Sequence, residues 1–489
     1  MKRFIKNIVA KNLPFTLIFA IAAFLRLFRV EEFITFLSDQ GRDALIIKDI
    51  VTFKHFPLIG APTSIGQVFL GPAYYYFVAP FLLIYNFNPA GLAYGVAFYM
   101  LIGIIACYVL IKREVDVQVA LLFSLITAFS AVNITLSRFS WNPNLLPLSS
   151  FFALFSLYKL MKDRSVIAGV FFGFFLGLSF QFHYLALFLL PSIGIVYLFF
   201  LYKHKVFKSF RTLFFVPLLS FIVTISPLVF FDLRHGFINS KNFITLFSIQ
   251  KDVPHELFST KFLNVNSAFY SLFFNIPVSI SLALLISLLV LIVYLLISKR
   301  KKVSLLIHIN FLTFFLFIIS FSLVQTPRHI HYFTPIYFSF TLVLAYFLAQ
   351  IASMKGKWIV IVSLILVLFI YQNVYTLPFF SPAGNGQIKH AQTVAEFMLP
   401  KIGDKPFNIA VWPVYFSEDN YVYFLSLAGH TPADRAKVEV TDQMFVLCNE
   451  EPCLVLNSPS WNISMFGRAE IDKIWIVEGI KIYKLVHAK

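Results

Sequence analysis

The chain has 489 residues, 59% of them apolar and only 13% charged, with a formal net charge of +17. A soluble domain carries about 25% charged residues, so a water-soluble globule is excluded, and 62 phenylalanines would be an aggregation hazard in water. The positive charge sits in short clusters between apolar runs, the footprint of the positive-inside rule rather than of a nucleic-acid groove.

The N-terminal Met1-Lys2-Arg3-Phe4-Ile5-Lys6 precedes an apolar run with no small-residue cleavage site after it, so an uncleaved first span is expected at 13–29. A long polar loop, 31–70, follows. The next apolar run, 71–87, is short and flanked by Pro72, Pro80 and Pro89. Further spans are expected at 91–111, 118–135, 145–159, 166–181, 184–201, 213–231, 270–297, 303–324, 332–351 and 358–376.

Charge decides the topology. If 71–87 lies on the surface or re-enters without crossing, Lys112-Arg113, Lys159/Lys162/Arg164, Lys203/Lys205/Lys208/Arg211, Lys299-Arg300-Lys301-Lys302 and Lys355/Lys357 share the N-terminal, cytoplasmic side. If it crosses, the Lys299–Lys302 cluster is exposed outside, against the positive-inside rule. The sequence therefore predicts an all-α polytopic bundle of about eleven transmembrane helices, multi-pass in the plasma (inner) membrane, with the N-terminus cytoplasmic. From 377 to 489 the composition turns polar and mixed, with short β-like runs. This is expected to be a small, soluble, extracytoplasmic α+β domain. Cys448 and Cys453 pair if this region faces an oxidising compartment, and Cys107 packs within a span.

With this topology the outer loops form one surface. The first holds Ser38-Asp39-Gln40-Gly41-Arg42-Asp43, followed by an amphipathic stretch with Leu45, Ile46, Ile50 and Phe53 on one face, expected to lie along the membrane. The second holds Arg138, Trp141 and Asn142, and the third Gln181 and His183. The fourth opens Asp232-Leu233-Arg234-His235, and the fifth is Thr326-Pro327-Arg328-His329-Ile330-His331-Tyr332. Each residue also has a plainer reading. Asp39 serves as a helix N-cap, and Asp43 pairs with Arg42 or Lys48 as a surface charge. Arg138 and Arg328 snorkel as interfacial anchors, and His183 packs between two spans. His329 and His331 carry no metal-ligand spacing, and no metal site is assigned; no cofactor is implied, although a divalent cation is compatible with the acids.

These features together resemble polyprenyl-phosphate-dependent glycosyltransferases of the GT-C fold, in particular the protein O-mannosyltransferase and aminoarabinose-transferase group. Asp39 matches that family's loop acid. Gly71-Pro72-Ala73-Tyr74-Tyr75-Tyr76 resembles its Pro-Pro-Leu-Tyr-Tyr segment, with Gly71 in place of the first proline, and Gln40 follows the acid where the family often has Glu. Arg138 and Arg328 resemble its phosphate-side basic residues. The resemblance spans 1–376 and implies transfer of a sugar from a polyprenyl phosphate, within membrane lipid, to a glycan, lipid or protein acceptor, with inversion. Asp39 would be the base, and Arg328, with Arg138 and His329 or His331, would hold the phosphate. Arg42, Asp43, His183, Asp232, Arg234 and Tyr332 complete the expected binding surface. The rival class is a lipid or anion transporter or flippase. Transporters place ionisable groups near the membrane midplane and often repeat their halves, whereas these charges sit at span ends and no repeat is evident.

Overall fold

Apolar runs bounded by short polar caps set the architecture. The computed structural model describes residues 12–63, 68–204, 211–249, 256–324, 328–413 and 416–488; Lys2, Arg3 and Lys6, the loop lysines Lys205 and Lys208, and Thr326-Pro327 lie outside these. The N-terminal part is helical: α1 (Leu13–Leu27), α2 (Ser38–Val51), α3 (Ala73–Ile84), α4 (Ala90–Glu114), α5 (Val117–Phe129), α6 (Ala131–Leu136), α7 (Leu146–Asp163), α8 (Val166–Phe182), α9 (Leu190–His204), α10 (Val216–Arg234), α11 (Ile238–Ile249), α12 (Phe258–Phe274), α13 (Ile280–Arg300), α14 (Leu305–Phe321), α15 (Tyr337–Ala352) and α16 (Lys357–Tyr375). Among the described residues, six helical segments are long and apolar enough to cross a membrane; α1, α5, α8, α14 and α15 are shorter apolar helices. With 12 residues, α3 is about 18 Å long, well short of a hydrocarbon core of about 30 Å. The molecule is thus a polytopic membrane protein with a helical bundle.

Two predicted spans are interrupted. The run 270–297 breaks at Asn275, which adopts a left-handed conformation (φ +56°) that ends α12, and Ser279 then caps α13 through the Leu282 amide. Hydropathy missed this break because Phe273, Phe274, Ile276 and Val278 keep the window apolar. The run 118–135 breaks at Ser130 between α5 and α6. There the freed carbonyls of Thr127 and Ala128 accept from the buried Arg26 guanidinium of α1, at 2.8 and 3.2 Å. Carbonyls at a helix end lack intrahelical donors, so a cation satisfies them.

After α16 the chain forms a compact cap: α17 (Gln387–Ile402), β1 (Asn408–Trp412), α18 (Asp419–Leu427), β2 (Gln443–Cys448), β3 (Ala469–Val477) and β4 (Ile480–His487). The sheet order is β1-β2-β4-β3, with β1 parallel to β2 and the other pairs antiparallel. A disulfide joins Cys448 to Cys453, and Cys107 is free and buried.

The stretch expected to lie on the membrane is instead enclosed. Ala44, Ile47, Lys48 and Ile50 of α2 are buried, and α2 packs between α3 and α18. Of the expected apolar face only Ile50 is buried, Leu45 and Ile46 are partly buried and Phe53 is exposed, while Lys48 on the opposite side is enclosed by protein. Lys48 donates to the Ser426 hydroxyl of α18.

Candidate active site at the end of the bundle

The site is built outward from the first turns of α2. Asp39, Arg42 and Asp43 stand at i, i+3 and i+4, which a helix places on one face. Arg42 donates through Nη1 to Asp39 Oδ1 (2.8 Å), and through Nε and Nη2 to Asp43 Oδ1 (3.0 and 2.8 Å). Tyr75 of α3 donates to the same Asp43 oxygen at 3.0 Å. The two carboxylates differ in setting: the Asp39 side chain is 49% exposed, and that of Asp43 0%. Burial pushes the Asp43 carboxyl up to about 6, against the pull of Arg42. Arg42 is itself half-buried. Burial alone would lower its pKa, but Asp43, Tyr75 and Asp39 outweigh it and raise the value. The result is a fixed guanidinium presenting one reachable carboxylate. Asp39 is not the N-cap, which is Leu37, and Asp43 pairs with Arg42, not Lys48.

The neighbouring α3 is seated by Gln181, whose carbonyl accepts from the Gly71 amide (3.0 Å) and whose Oε1 accepts from the Ala73 amide (3.1 Å). This accounts for glycine where the family pattern has proline. Proline has no N–H to give, and a Cβ on Gly71 would stand 2.4 Å from Gln181 Cγ. Tyr74, beside Tyr75, bonds the Ser140 hydroxyl at 2.6 Å. The adjacent tyrosines thereby tie the acidic face of α2 to the loop carrying Trp141.

Beyond Trp141 lie the imidazoles. His331 meets Trp141 edge-on at 4.6 Å between ring centroids, with Tyr332 at 4.1 Å, His329 at 5.8 Å and His183 at 6.0 Å. Burial lowers His183 to about 4; burial, then the charges of His183 and His329, lower His331 to about 3. Both are neutral at neutral pH. His183 Nδ1 accepts from the Leu185 amide at 3.2 Å, which leaves Nε2 as its N–H in the neutral ring. Among the described residues no group of three His, Cys, Asp or Glu converges to hold a metal. Arg328 lies at the edge of this cluster, its Cζ 5.3 Å from the Phe321 ring centroid, and burial lowers its pKa against the field of Glu256.

Three expected residues lie apart from this arrangement. Arg138 donates to the carbonyls of Leu25 (2.9 Å) and Phe28 (2.7 Å) at the end of α1 and stacks on Phe379 at 3.9 Å. Asp232 accepts from the Asn239 and Ser240 amides at 2.7 and 3.0 Å, tying down the start of α11. Arg234 is exposed. Sequence reasoning also missed a contributor from the C-terminal cap. The first turn of α18 sits on Gly41, and Asp419 lies within the fields of both Arg42 and Asp39. Burial raises its carboxyl, with the neighbouring Ser417 opposing. Nothing local marks Asp419; the only cue is a glycine in the first turn of α2.

A multi-span bundle with a short apolar helix after the first loop, an acid–arginine loop helix and a small α+β cap defines a GT-C-like membrane fold. Comparisons agree. A protein-family model described as dolichyl-phosphate-mannose-protein mannosyltransferase matches residues 70–231. ArnT from Cupriavidus metallidurans in its apo state superposes with a TM-score of 0.60 at 12% identity, over 99% of this chain and 98% of that one. The same protein bound to undecaprenyl phosphate gives 0.61 at 11% identity, over 97% and 98%. The Archaeoglobus fulgidus oligosaccharyltransferase, in complex with Zn and sulfate, gives 0.50 at 15% identity, over 86% of this chain and 62% of that one. Among curated proteins no sequence matches. The chain therefore has the ArnT-like fold.

Proposed function

We propose that this protein is a glycosyltransferase that moves a sugar from a polyprenyl phosphate to an acceptor hydroxyl or similar group. The observation that carries the proposal is the half-exposed Asp39, held by an arginine that buried Asp43 and Tyr75 lock in place, in a fold shared with a protein crystallised with undecaprenyl phosphate.

In this reading the acceptor oxygen attacks the anomeric carbon as Asp39 takes its proton. The anomeric C–O bond breaks with its electron pair going to phosphate, and polyprenyl phosphate leaves. Phosphate departs without a general acid, so a single carboxylate suffices, and one displacement inverts the anomeric carbon. Arg328, with N–H donors from His329 or His331, would steady the charge gathering on the phosphate. Neutral imidazoles serve this role as donors rather than as cations. Residues 1–376 would form the transferase domain and 377–489 its outer cap. The Cys448–Cys453 disulfide supports an extracytoplasmic cap, and Asp419 would help shape the acceptor side.

The test is the purified protein in nanodiscs, given a synthetic short-chain polyprenyl-phosphate sugar and candidate acceptors. The expected result is acceptor-dependent release of polyprenyl phosphate and a product of inverted anomeric configuration. Retention of configuration, or turnover from a nucleotide sugar instead, would overturn the reading.

A further inference from the structure

The opposite end of the bundle carries a cavity of about 800 Å³ between the ends of α4, α7, α9 and α15 and the start of α14. Its walls are of two kinds. The inner wall is apolar: Met161, Val196, Phe200, Val303 and Tyr346 are buried there. The rim is basic overall, carrying Lys162, Lys203, Lys301 and Lys302 together with the carboxylates of Glu114 and Asp116.

Those two carboxylates are already engaged. Glu114 accepts from Lys162 (2.7 Å), Lys159 (3.2 Å) and the Tyr158 hydroxyl (2.8 Å). Asp116 caps α5 by accepting from the Gln118 amide at 2.6 Å. The remaining lysines are not in ion pairs among the described residues. Lys301 donates to the neutral Gln350 amide at 2.7 Å, and Lys203 lies 5.7 Å from the Phe199 ring centroid. Ser304 and Leu305, the start of the 17-residue α14, also line the cavity; Ser304 caps the Leu306, Ile307 and His308 amides, so α14 adds the positive end of its dipole there rather than open N–H groups. Phe199, 59% exposed on the outside of α9, continues the apolar wall towards lipid.

We propose that this cavity binds the phosphate headgroup of an anionic membrane lipid, with its chains along Phe199 and Phe200. The positive-inside rule asks only for charge on this side. It does not ask for a cavity with an apolar wall, three lysines that form no ion pair among the described residues and a helix N-terminus lining the same space. Basic pockets between membrane helices suit lipid phosphates for this reason.

The experiment is native mass spectrometry of the full-length protein with phosphatidylglycerol, phosphatidylcholine or inorganic phosphate added. One phosphatidylglycerol should be retained per chain, at least tenfold more tightly than phosphatidylcholine. The double variant Lys203→Gln/Lys302→Gln should lose that preference at least tenfold. Lys203→Arg/Lys302→Arg, which keeps the charge, should retain it, as should Lys299→Gln outside the cavity. Equal retention of the two lipids, a glutamine variant that binds like the parent, or displacement by inorganic phosphate at millimolar concentration would each overturn the proposal. The first two would show that charge is not read, and the third that no lipid is required.

Discussion

Gly41 packs its α-carbon directly on the backbone of Asn420: a Cβ there would lie 2.2 Å from the Asn420 nitrogen and 2.5 Å from the Asp419 carbonyl carbon. The acid-bearing helix of the first loop and the first turn of α18 are therefore in backbone contact, although 379 residues separate the two positions. Ser38 reinforces the seam by accepting from the Ser417 amide at 2.8 Å. Gly41→Ala should part the two helices, because backbone atoms cannot rotate away as a side chain would. The expected outcome is a loss of transfer of at least tenfold and faster proteolytic release of the cap, with the bundle still inserted. Normal turnover and an intact cap would show that the seam does not shape the site.

Asp39→Asn keeps an oxygen that can accept from Arg42 but removes the ability to take a proton. Transfer should fall by about 10² or more, while thermal stability and donor binding stay close to the parent. Rates measured in single turnover separate chemistry from product release. A variant with near-parental single-turnover rate would remove Asp39 as the base.

Asp43 predicts a pH dependence. Its carboxyl, up to about 6 in the folded protein, lies above the ordinary value of about 3.9. The folded state thus holds this proton more tightly than the unfolded chain. The stabilisation from this group is full below pH about 3.9, fades as pH rises to about 6 and is absent above it. Activity should run the other way, since Arg42 is held by the anion. A limb rising through pH about 6 in kcat/KM is expected, and it should be missing in Asp43→Asn. The same limb in that variant would assign it to another group.

Arg328→Lys distinguishes a phosphate clamp from a lipid anchor. Lysine snorkels as well as arginine but cannot reproduce paired N–H donors. A rise in donor KM or fall in turnover of at least tenfold, about 1.4 kcal/mol, is expected with expression unchanged. Donor-dependence curves matching the parent would leave Arg328 as an anchor.

Arg138→Lys should behave differently. The parent guanidinium bridges the carbonyls of Leu25 and Phe28 over the Phe379 ring, a span one ammonium does not cover. The expected change is a loss of about 2 kcal/mol in stability, the range for hydrogen bonds to a charged group, with kcat of the surviving protein little altered. A drop in kcat at unchanged melting temperature would return Arg138 to the phosphate site.

Much of this was legible in the residues. The short reach of α3 followed from its prolines and length, and the i, i+3, i+4 spacing of Asp39, Arg42 and Asp43 already put them on one helix face. The break at Asn275 escaped because apolar neighbours on both sides, Phe273 and Phe274 before it and Ile276 and Val278 after it, masked a single left-handed residue. For Arg138 the residues leave the partner open, because a guanidinium near a span end has the same sequence signature whether it meets a phosphate or a helix carbonyl; the structure sets it on the carbonyls of Leu25 and Phe28. Asp232 is a similar case: both its oxygens accept from amides seven and eight residues further on.

The sequence alone determined the membrane class, the apolar runs and the local charge spacings, because transfer to lipid and helical periodicity are properties of neighbouring residues. Tertiary structure decided which charges meet. It buried Asp43 and left Asp39 reachable, brought His183 and Trp141 from two other loops to His331, and brought Asp419 to Arg42. Those outcomes depend on how helices distant in the chain pack against one another, and a buried charge is tolerated only where that packing supplies its partner.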